Sequence, residues 1–314
     1  MISVAMATYN GEKYIYEQLL SIKKQIKPVD EVIICDDLSS DRTVEIINEF
    51  IEENNLINWK VFVNEQNVGY IQNFYKAISY TKGDYVFLSD QDDLWCDNKT
   101  LEMCEKMQKN NINLLYSAIN VLDNEGNIIS RNLHNLPRGL KLYDVGKYCK
   151  KINYCGMSMA FDSKIRDEVV KIGFLNAPSH DWAIGLISVI KGRFASIDEV
   201  YTLRRMHDKN EKLNFQKAKR NSIDERIEVI ETYLKCYDYA YSVAIENDFP
   251  PETISVLEKY IKCCKDRIKL IKNKSTLIVN MIWNIKYYQS FVAYICDIMY
   301  VFDLFRFRRG KHER

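Results

Sequence analysis

Several patterns that would each identify a class of protein are absent from this chain of 314 residues. Its nine cysteines include no CxxC spacing, so the sequence predicts neither a zinc site nor a disulfide framework. Reduced thiols are the normal state of cysteine in a cytoplasm. Because no basic and apolar leader follows Met1, we expect no signal peptide and a cytoplasmic protein.

Long hydrophobic runs are also absent. In the apolar C-terminal part of the chain, the longest windows without a charged residue are Ser275–Ile285 and Tyr287–Cys296. Both are well short of the roughly 20 residues that a membrane-spanning helix needs. We therefore expect that this part of the chain does not span a bilayer.

Two glycine-rich nucleotide-binding loops are missing as well. No GxGxxG motif follows the first apolar segment, which argues against a dinucleotide-dependent dehydrogenase. Thr8–Lys13 has no Gly- and Lys/Arg-rich phosphate loop, which argues against a sugar-1-phosphate nucleotidyltransferase. No nucleic-acid-binding module is recognisable, and we expect no nucleic-acid partner.

Charge is distributed unevenly along the chain. From Lys262 to the C-terminus, 12 Lys/Arg accompany 4 Asp/Glu, a net charge of +8, whereas the preceding residues carry −7. The tail is rich in aromatic residues and ends in Arg306, Arg308, Arg309 and Lys311. Such a segment can pack on protein, including a second copy of the chain, or lie on an anionic membrane surface, and the two are compatible. We expect peripheral attachment to the cytoplasmic face of the membrane through about Trp283 to Lys311.

The first hundred residues alternate between strand and helix patterns. Strands are predicted at Ile2–Ala7, Glu31–Cys35, Trp59–Val63 and Asp84–Leu88. Helices are predicted at Glu12–Gln25, after a cap provided by Ser39, Ser40 or Asp41, and at Tyr70–Tyr80. This order predicts an α/β fold with a mostly parallel, mixed sheet and helices on both faces.

From Asn113 onward the pattern changes. Further strands are predicted at Leu114–Leu122, Asn127–Ser130, Cys155–Phe161 and Arg193–Leu203. Strand patterns end near Asn221, and three long helices are predicted at Ile223–Glu246, Pro251–Lys274 and Thr276–Phe305. We therefore expect an α/β domain over residues 1–215 and a C-terminal helical region over residues 216–314.

Polar residues follow the first four predicted strands, at Thr8-Tyr9-Asn10, Asp36-Asp37, Asn64–Asn67 and Ser89–Asp93. In parallel sheets ligands bind beyond the carboxyl ends of the strands. The last cluster, Asp90-Gln91-Asp92-Asp93, places three carboxylates in four residues, and these repel one another unless they are paired. A divalent cation relieves such repulsion, and Mg²⁺ or Mn²⁺ prefers hard oxygen ligands. A solvated or capping acidic turn is the alternative.

Three other groups are candidates for chemistry. Asp37 could accept hydrogen bonds from a ribose or a base, or it could cap the next helix. Asp181, in His180-Asp181-Trp182, could be a helix N-cap or a general base. His207, in a polar loop with Arg204 and Arg205, suits contact with a diphosphate, although a lone loop histidine is usually solvated.

Taken together and in order, these motifs resemble the family-two glycosyltransferases with the GT-A fold, over about residues 2–210. The motifs that carry the resemblance are Ala7-Thr8-Tyr9-Asn10-Gly11, Cys35-Asp36-Asp37 with Ser39-Ser40-Asp41-Arg42-Thr43, Asn67-Val68-Gly69, Gly83-Asp84-Tyr85 leading to Asp90-Gln91-Asp92-Asp93, Asp181-Trp182 and His207. The resemblance implies a nucleotide pocket of Ala7, Tyr9, Asp37, Asn67 and Asp90. It also implies metal contacts from Asp92 and His207, and Asp181 as the catalytic base.

The resemblance further implies an inverting enzyme that uses Mn²⁺ or Mg²⁺ to move a sugar from a nucleotide-diphosphate donor to an acceptor hydroxyl. Many relatives carry Arg in the helix after the Asn-x-Gly turn, where this chain has Gln72-Asn73-Phe74. That variant is similar to bacterial rhamnosyltransferases and to capsule and O-antigen enzymes, so the donor is expected to be dTDP-rhamnose or a UDP-hexose. The acceptor is expected to be a glycan, which in a peripheral membrane enzyme would be lipid-linked. The alternatives are a non-catalytic glycan-binding or scaffold protein on the same fold, or the nucleotidyltransferase.

Overall fold

The computed structural model describes residues 1–123, 125–133, 135–151, 154–206, 223–273 and 284–301. Contacts divide the chain into two compact units, residues 1–143 with 154–210, and residues 144–153 with 211–314. The boundary expected at residue 215 lies outside the described residues. Two domains at 1–215 and 216–314 therefore remain a prediction.

The first unit is built around one sheet of ten strands. The strands are β1 (Ile2–Thr8), β2 (Glu31–Asp36), β3 (Trp59–Val63), β4 (Tyr85–Ser89), β5 (Leu94–Trp95), β6 (Leu114–Leu122), β7 (Ile128–Ser130), β8 (Lys141–Leu142), β9 (Met159–Asp162) and β10 (Phe194–Arg205). The helices are α1 (Ile15–Lys23), α2 (Thr43–Glu53), α3 (Tyr70–Tyr80), α4 (Lys99–Asn110), α6 (Ser163–Ile172) and α7 (His180–Lys191). The helix between α4 and α6 in the chain, α5 (Val145–Cys149), belongs to the second unit.

The sheet has the strand order β3-β2-β1-β4-β9-β6-β10-β5, with β7 on β6 and β8 on β10. The first four strands in this order are parallel, and β9 is antiparallel to both β4 and β6. This confirms the expected α/β architecture with a mixed sheet. Because β1 to β4 are parallel, the residues that follow them meet at one edge.

Burial explains why these segments form strands and helices. Every residue of β2 is buried, and β1 is buried except for Ala7, as expected for central parallel strands. In α1 the apolar residues Ile15, Leu19 and Ile22 recur at helical spacing and are fully buried. With Phe50 of α2 and Trp59 of β3 they belong to the main apolar core of the unit.

Three local predictions for this unit are wrong. The N-cap residue of α2 is Arg42, and Asp41 instead accepts a hydrogen bond from the Thr43 N–H (3.0 Å). The expected strand Cys155–Phe161 begins as a 3₁₀ turn at Gly156–Ser158, and only Met159–Asp162 is strand. Arg204 and Arg205 end β10, where they pair with β6, and they are not loop residues.

The second unit is helical and contains α5 (Val145–Cys149), α8 (Ile223–Glu246), α9 (Pro251–Asn273), a 3₁₀ turn at Ile285–Tyr287 and α10 (Phe291–Val301). Two buried tyrosines hold α5 in place by hydrogen bonds to its backbone. Tyr237 donates to the Cys149 carbonyl and Tyr260 to the Gly146 carbonyl, both at 2.6 Å.

The predicted single helix Thr276–Phe305 is wrong within the described residues. The chain is extended at Tyr288 (ψ 148°), and a new helix starts after Ser290, whose hydroxyl accepts a hydrogen bond from the Ala293 N–H (3.1 Å). The fully buried Asp297 of α10 forms ion pairs with Arg226 of α8 and Arg267 of α9, both at 2.6 Å. In the part of the chain that the structure describes, no helix has both the length and the apolar character that a membrane span requires.

Candidate active site

The turn after β3 is fixed by Asp37. This buried carboxylate accepts hydrogen bonds from the Val68 N–H and the Gly69 N–H, both at 2.8 Å, and from the Asn64 side chain at 2.9 Å. Gly69 has φ +80°, a conformation that favours glycine. Asp37 therefore does not cap α2, and its main contacts within the protein shape the loop that carries Asn67.

Asn67 and Asn73 make further hydrogen bonds around the turn after β3. The Asn67 side chain donates to the Asp37 carbonyl at 3.2 Å. Asn73 accepts a hydrogen bond from Asn64 (2.9 Å) and donates to the Cys35 carbonyl (2.7 Å). Asn73 thus links α3 to the end of β2 from a buried position.

The loop after β1 is joined to the acidic loop after β4. The Tyr9 N–H donates to the Gln91 side chain (2.8 Å), and Gln91 donates back to the Tyr9 carbonyl (2.9 Å). A Cβ on residue 11 would overlap the Gln91 side-chain oxygen, so this close approach requires Gly11. Tyr9 is about half exposed (49%), and its ring is accessible for stacking. Ala7, at the end of β1, is partly exposed.

Asp90, Asp92 and Asp93 form a carboxylate cluster between β4 and β5, with one oxygen of each within 4.8 Å of the others. Burial, and next the charge of Asp92, raises the pKa of Asp90 to about 7. The same two causes raise the pKa of Asp93 well above its usual value. One oxygen of Asp93 accepts from the Arg205 N–H (3.2 Å), and the other has no hydrogen-bond partner within the described ranges. One Asp93 oxygen is therefore open to a further donor or to a cation.

A buried lysine lies beneath this cluster. Lys99 of α4 is fully buried, and its ammonium donates to the Met157 carbonyl (2.5 Å) and the Thr202 hydroxyl (3.0 Å). It also lies 3.9 Å from the centre of the Trp95 ring. Burial lowers the pKa of Lys99 to about 7, although Asp93 and Asp90 oppose that change.

Arg204 is the second cation near the acids. Burial lowers its pKa, but Cys155, Asp93 and Asp90 outweigh that effect and hold the pKa above its usual value. Arg204 also opposes the raised pKa of Asp90 and of Asp181. A guanidinium among these groups is placed to contact an anionic ligand.

Asp181 lies in the first turn of α7. The N-cap is Ser179, so the sequence alternative that assigned this duty to Asp181 is wrong. One Asp181 oxygen accepts from the Trp182 N–H (2.6 Å) and from the Ser179 hydroxyl (2.5 Å). Burial raises the pKa of Asp181 to about 6, opposed by the donors of Ser179, Trp182 and Gly156. The charge of Asp181 is also among the causes that raise the pKa of Asp90, so the two carboxylates are near enough to interact electrostatically.

His180, the residue before Asp181, packs against aromatic residues of α3. Its buried ring stacks on Phe74 with centroids 3.9 Å apart, and the edge of Tyr70 packs at 5.8 Å. Neither ring nitrogen has a hydrogen-bond partner in the part of the chain that is described. Burial lowers the pKa of His180 to about 3, so the imidazole is neutral.

The structure therefore places Ala7, Tyr9, Asp37, Asn67, Asp90 and Asp92 along the carboxyl edge of the four parallel strands, and it brings Asp181 to Asp90. His207 lies outside the described residues. The sequence did not indicate Lys99 or His180 as site residues. Lys99 is one lysine at the start of a helix, and His180 stands out only as the neighbour of Asp181. Asp93 was predicted only as a member of the acidic cluster, and Arg204 only as part of the polar loop around His207.

Comparisons with known proteins agree with this geometry. The family model described as glycosyl transferase family 2 matches residues 3–170. The dTDP-rhamnosyl transferase RfbG of Shigella flexneri is 41% identical over 119 residues, which cover 36% of this chain and 40% of that protein. The UDP-Glc:α-D-GlcNAc-diphosphoundecaprenol β-1,3-glucosyltransferase WfgD of Escherichia coli is 32% identical over 124 residues, 40% of this chain and 47% of that protein. The chain thus spans about half the length of these relatives or less.

A solved structure covers more of the chain. The mannosyltransferase PcManGT from Pyrobaculum calidifontis, in complex with GDP-Man and Mn²⁺, superposes with a TM-score of 0.56 at 14% identity, over 96% of this chain and 87% of that one. At this identity the likeness shows the fold alone. The family match extends over more than half of the chain and includes the loops that carry Asp37 and the carboxylate cluster. The chain therefore belongs to glycosyl transferase family 2 and has the GT-A fold.

Proposed function

We propose that this protein is a metal-dependent, inverting glycosyltransferase that moves a sugar from a nucleotide-diphosphate donor to an acceptor hydroxyl in cell-surface polysaccharide synthesis. One observation carries the proposal. A carboxylate cluster suited to a divalent cation has nearby a separate carboxylate suited to a general base, Asp181, whose charge raises the pKa of Asp90.

The donor set fits a divalent cation. Three hard carboxylate oxygens approach one another, two of the acids have raised pKa values, and one Asp93 oxygen is an orphaned acceptor within the described residues. Asp92, with Asp90 or Asp93 beside it, would hold Mn²⁺ or Mg²⁺, and we assign a further contact to His207. When bound, the cation neutralises charge on the donor diphosphate.

Asp181 is suited to accept the proton of the acceptor hydroxyl. A general base works best when its pKa lies near the working pH, and burial brings the pKa of Asp181 to about 6. The two donors on one of its oxygens, Ser179 and Trp182, orient the carboxylate. Removal of the hydroxyl proton lets the oxygen attack the anomeric carbon opposite the leaving diphosphate, which inverts the configuration. Arg204 would stabilise the leaving group.

The proposed donor is dTDP-rhamnose or a UDP-hexose, since RfbG is named as a dTDP-rhamnosyl transferase and WfgD as an enzyme that uses UDP-glucose. Asp37, Asn67 and the half-exposed Tyr9 would contact the base and ribose. The name of WfgD also specifies a diphosphoundecaprenol acceptor, which supports a lipid-linked glycan as the acceptor here. An enzyme with such an acceptor would work at the membrane surface, and we assign attachment to the C-terminal region.

A thermal-shift screen against UDP, dTDP and GDP, with Mn²⁺ and with a chelator, tests this proposal. Binding to the folded state raises the melting temperature by mass action, so one nucleotide should stabilise the protein, and more strongly with Mn²⁺. If none of the three nucleotides shifts melting with Mn²⁺ present, the nucleotide site is wrongly assigned. A shift that is the same with chelator would contradict the metal site.

A further inference from the structure

Helix α9 carries a row of lysines on one face. Between Lys259 and Lys272, its exposed positions are all lysine, at Lys259, Lys262, Lys265, Lys269 and Lys272. The spacings of three and four residues place them along one stripe. Among the described residues, Lys262 is the one lysine of this row that forms an ion pair, with Asp266 at 2.6 Å, so the lysine row presents a local positive charge.

An apolar edge accompanies the lysine row in the same unit. Ile285 (42% exposed), Phe291 (67%), Val292 (56%) and Ile295 (37%) present their side chains to solvent. Three of them fall on one face of α10 at spacings of one and four residues. The opposite face of α10 is already anchored, because buried Asp297 joins Arg226 and Arg267 there. The exposed face is thus not needed to hold the helix in place.

The lysine row and the apolar edge are neighbours. The Asn284 side chain donates to Asp266, which lies between Lys262 and Lys269, at 3.2 Å. Tyr288 packs with Cys263 and Leu270 of α9 in one small apolar cluster, together with partly buried Tyr294 and Ile298 of α10. Ile285 and α10 are therefore fixed beside the helix that carries the lysines.

We propose that the lysine row and the apolar edge together form a binding surface for an anionic lipid bilayer. This inference rests on the membrane placement within the proposed function, and it assigns that placement to particular side chains. Lysines at a bilayer surface gain from the negative potential of anionic lipids, while adjacent exposed apolar side chains insert into the interface. Charge alone would also suit a nucleic acid, but the apolar edge favours lipid.

Co-sedimentation of the full chain with vesicles tests this surface, using phosphatidylcholine alone and an equimolar mixture with phosphatidylglycerol. Binding should require the anionic lipid and weaken as salt is raised. A variant with Lys259, Lys265, Lys269 and Lys272 changed to Gln should lose about tenfold or more in vesicle partitioning. The matched control changes Lys24, Lys60, Lys109 and Lys164, which are exposed on the first unit, and should lose much less.

The apolar edge has its own variant and control. Phe291→Ser with Val292→Ser and Ile295→Ser should weaken partitioning, whereas Ile26→Ser, Ile57→Ser and Leu175→Ser, at positions 62%, 86% and 79% exposed, should not. Equal losses in both lysine variants, or binding to a DNA or RNA oligomer but not to anionic vesicles, would overturn the proposal.

Hydrolysis of the nucleotide-sugar donor without vesicles separates the two claims. Wild-type protein that hydrolyses the donor but does not bind anionic vesicles would refute the lipid-binding surface without contradicting the glycosyltransferase activity. Protein that binds the vesicles through the lysine row but turns over no donor would do the reverse.

Discussion

The Nε2 atom of His180 lies 2.6 Å from the position that a Cβ on residue 156 would take, so Gly156 leaves room for the imidazole. The backbone amide of Gly156 also counts among the groups that lower the pKa of Asp181, so it lies near that carboxylate. The same glycine is therefore a neighbour of both the stacked His180 ring and the candidate base. This arrangement connects the 3₁₀ turn before β9 to the start of α7.

Gly156→Ala should lower turnover by about tenfold or more, since a displacement of about 1 Å at a reacting group can cost about 100-fold. The added methyl group would push either His180 or the turn away from Asp181. The control is Gly146→Ala in α5, where the nearest atom to a new Cβ is an Asp144 oxygen at 3.3 Å. Steady-state kinetics should show a loss for the first variant alone, and full activity of Gly156→Ala would contradict the positioning role.

Asp181→Asn should reduce turnover by about 10² to 10⁴-fold while donor binding remains nearly intact, because the base acts on the acceptor hydroxyl. The matched control is Asp97→Asn, at an exposed position outside the carboxylate cluster. Donor affinity and melting temperature should be measured on the same samples. Retained turnover, with only a small loss of stability, would show that Asp181 serves the helix start.

Turnover should depend on pH through Asp181. The carboxylate can accept a proton only when it is ionised, and its pKa is raised to about 6 by burial. Activity should therefore fall as the pH drops below about 6 and level off above it. The Ser179 hydroxyl opposes this raised pKa, so Ser179→Ala should move the inflection to higher pH. An unchanged inflection in Ser179→Ala would contradict Asp181 as the titrating base.

Asp37→Asn should destabilise the protein and weaken nucleotide binding together. The carboxylate accepts from two backbone N–H groups and from Asn64, and an amide offers only one acceptor oxygen. Hydrogen bonds to a charged group contribute about 1.5–3 kcal/mol, so a loss of this order is expected in chemical denaturation. If Asp37→Asn keeps its stability but loses nucleotide affinity, the contacts to the turn are not the main role of Asp37.

Much of the fold was predictable because local patterns and tertiary packing agree. Trp59–Val63, Tyr70–Tyr80, Leu114–Leu122 and Ile223–Glu246 were predicted with the bounds that the structure has. The break at Tyr288 was not, because the aromatic run continues across it and the chain direction changes only where Ser290 starts a new helix. Apolar periodicity does not record such a change of direction.

The site was predictable where residues adjacent in sequence share one strand end. The order of β1 to β4 places Asp37 and the carboxylate cluster on one edge, as expected. Lys99 could not be predicted, because its burial depends on Met157 and Thr202, which are distant in the sequence. The stacking of Phe74 on His180 could not be predicted either, because it joins α3 to α7, which are distant in the sequence.

The central claim is that the carboxylate cluster supports metal-dependent transfer of a sugar from a nucleotide donor. The most direct measurement is release of nucleoside diphosphate from UDP-glucose and from dTDP-rhamnose, with Mn²⁺ and with a chelator, by wild-type protein and by Asp92→Ala. Wild-type protein should release the nucleotide from one donor only when Mn²⁺ is present, and Asp92→Ala should release none. Release by Asp92→Ala at the wild-type rate, or release that the chelator does not change, would contradict the account.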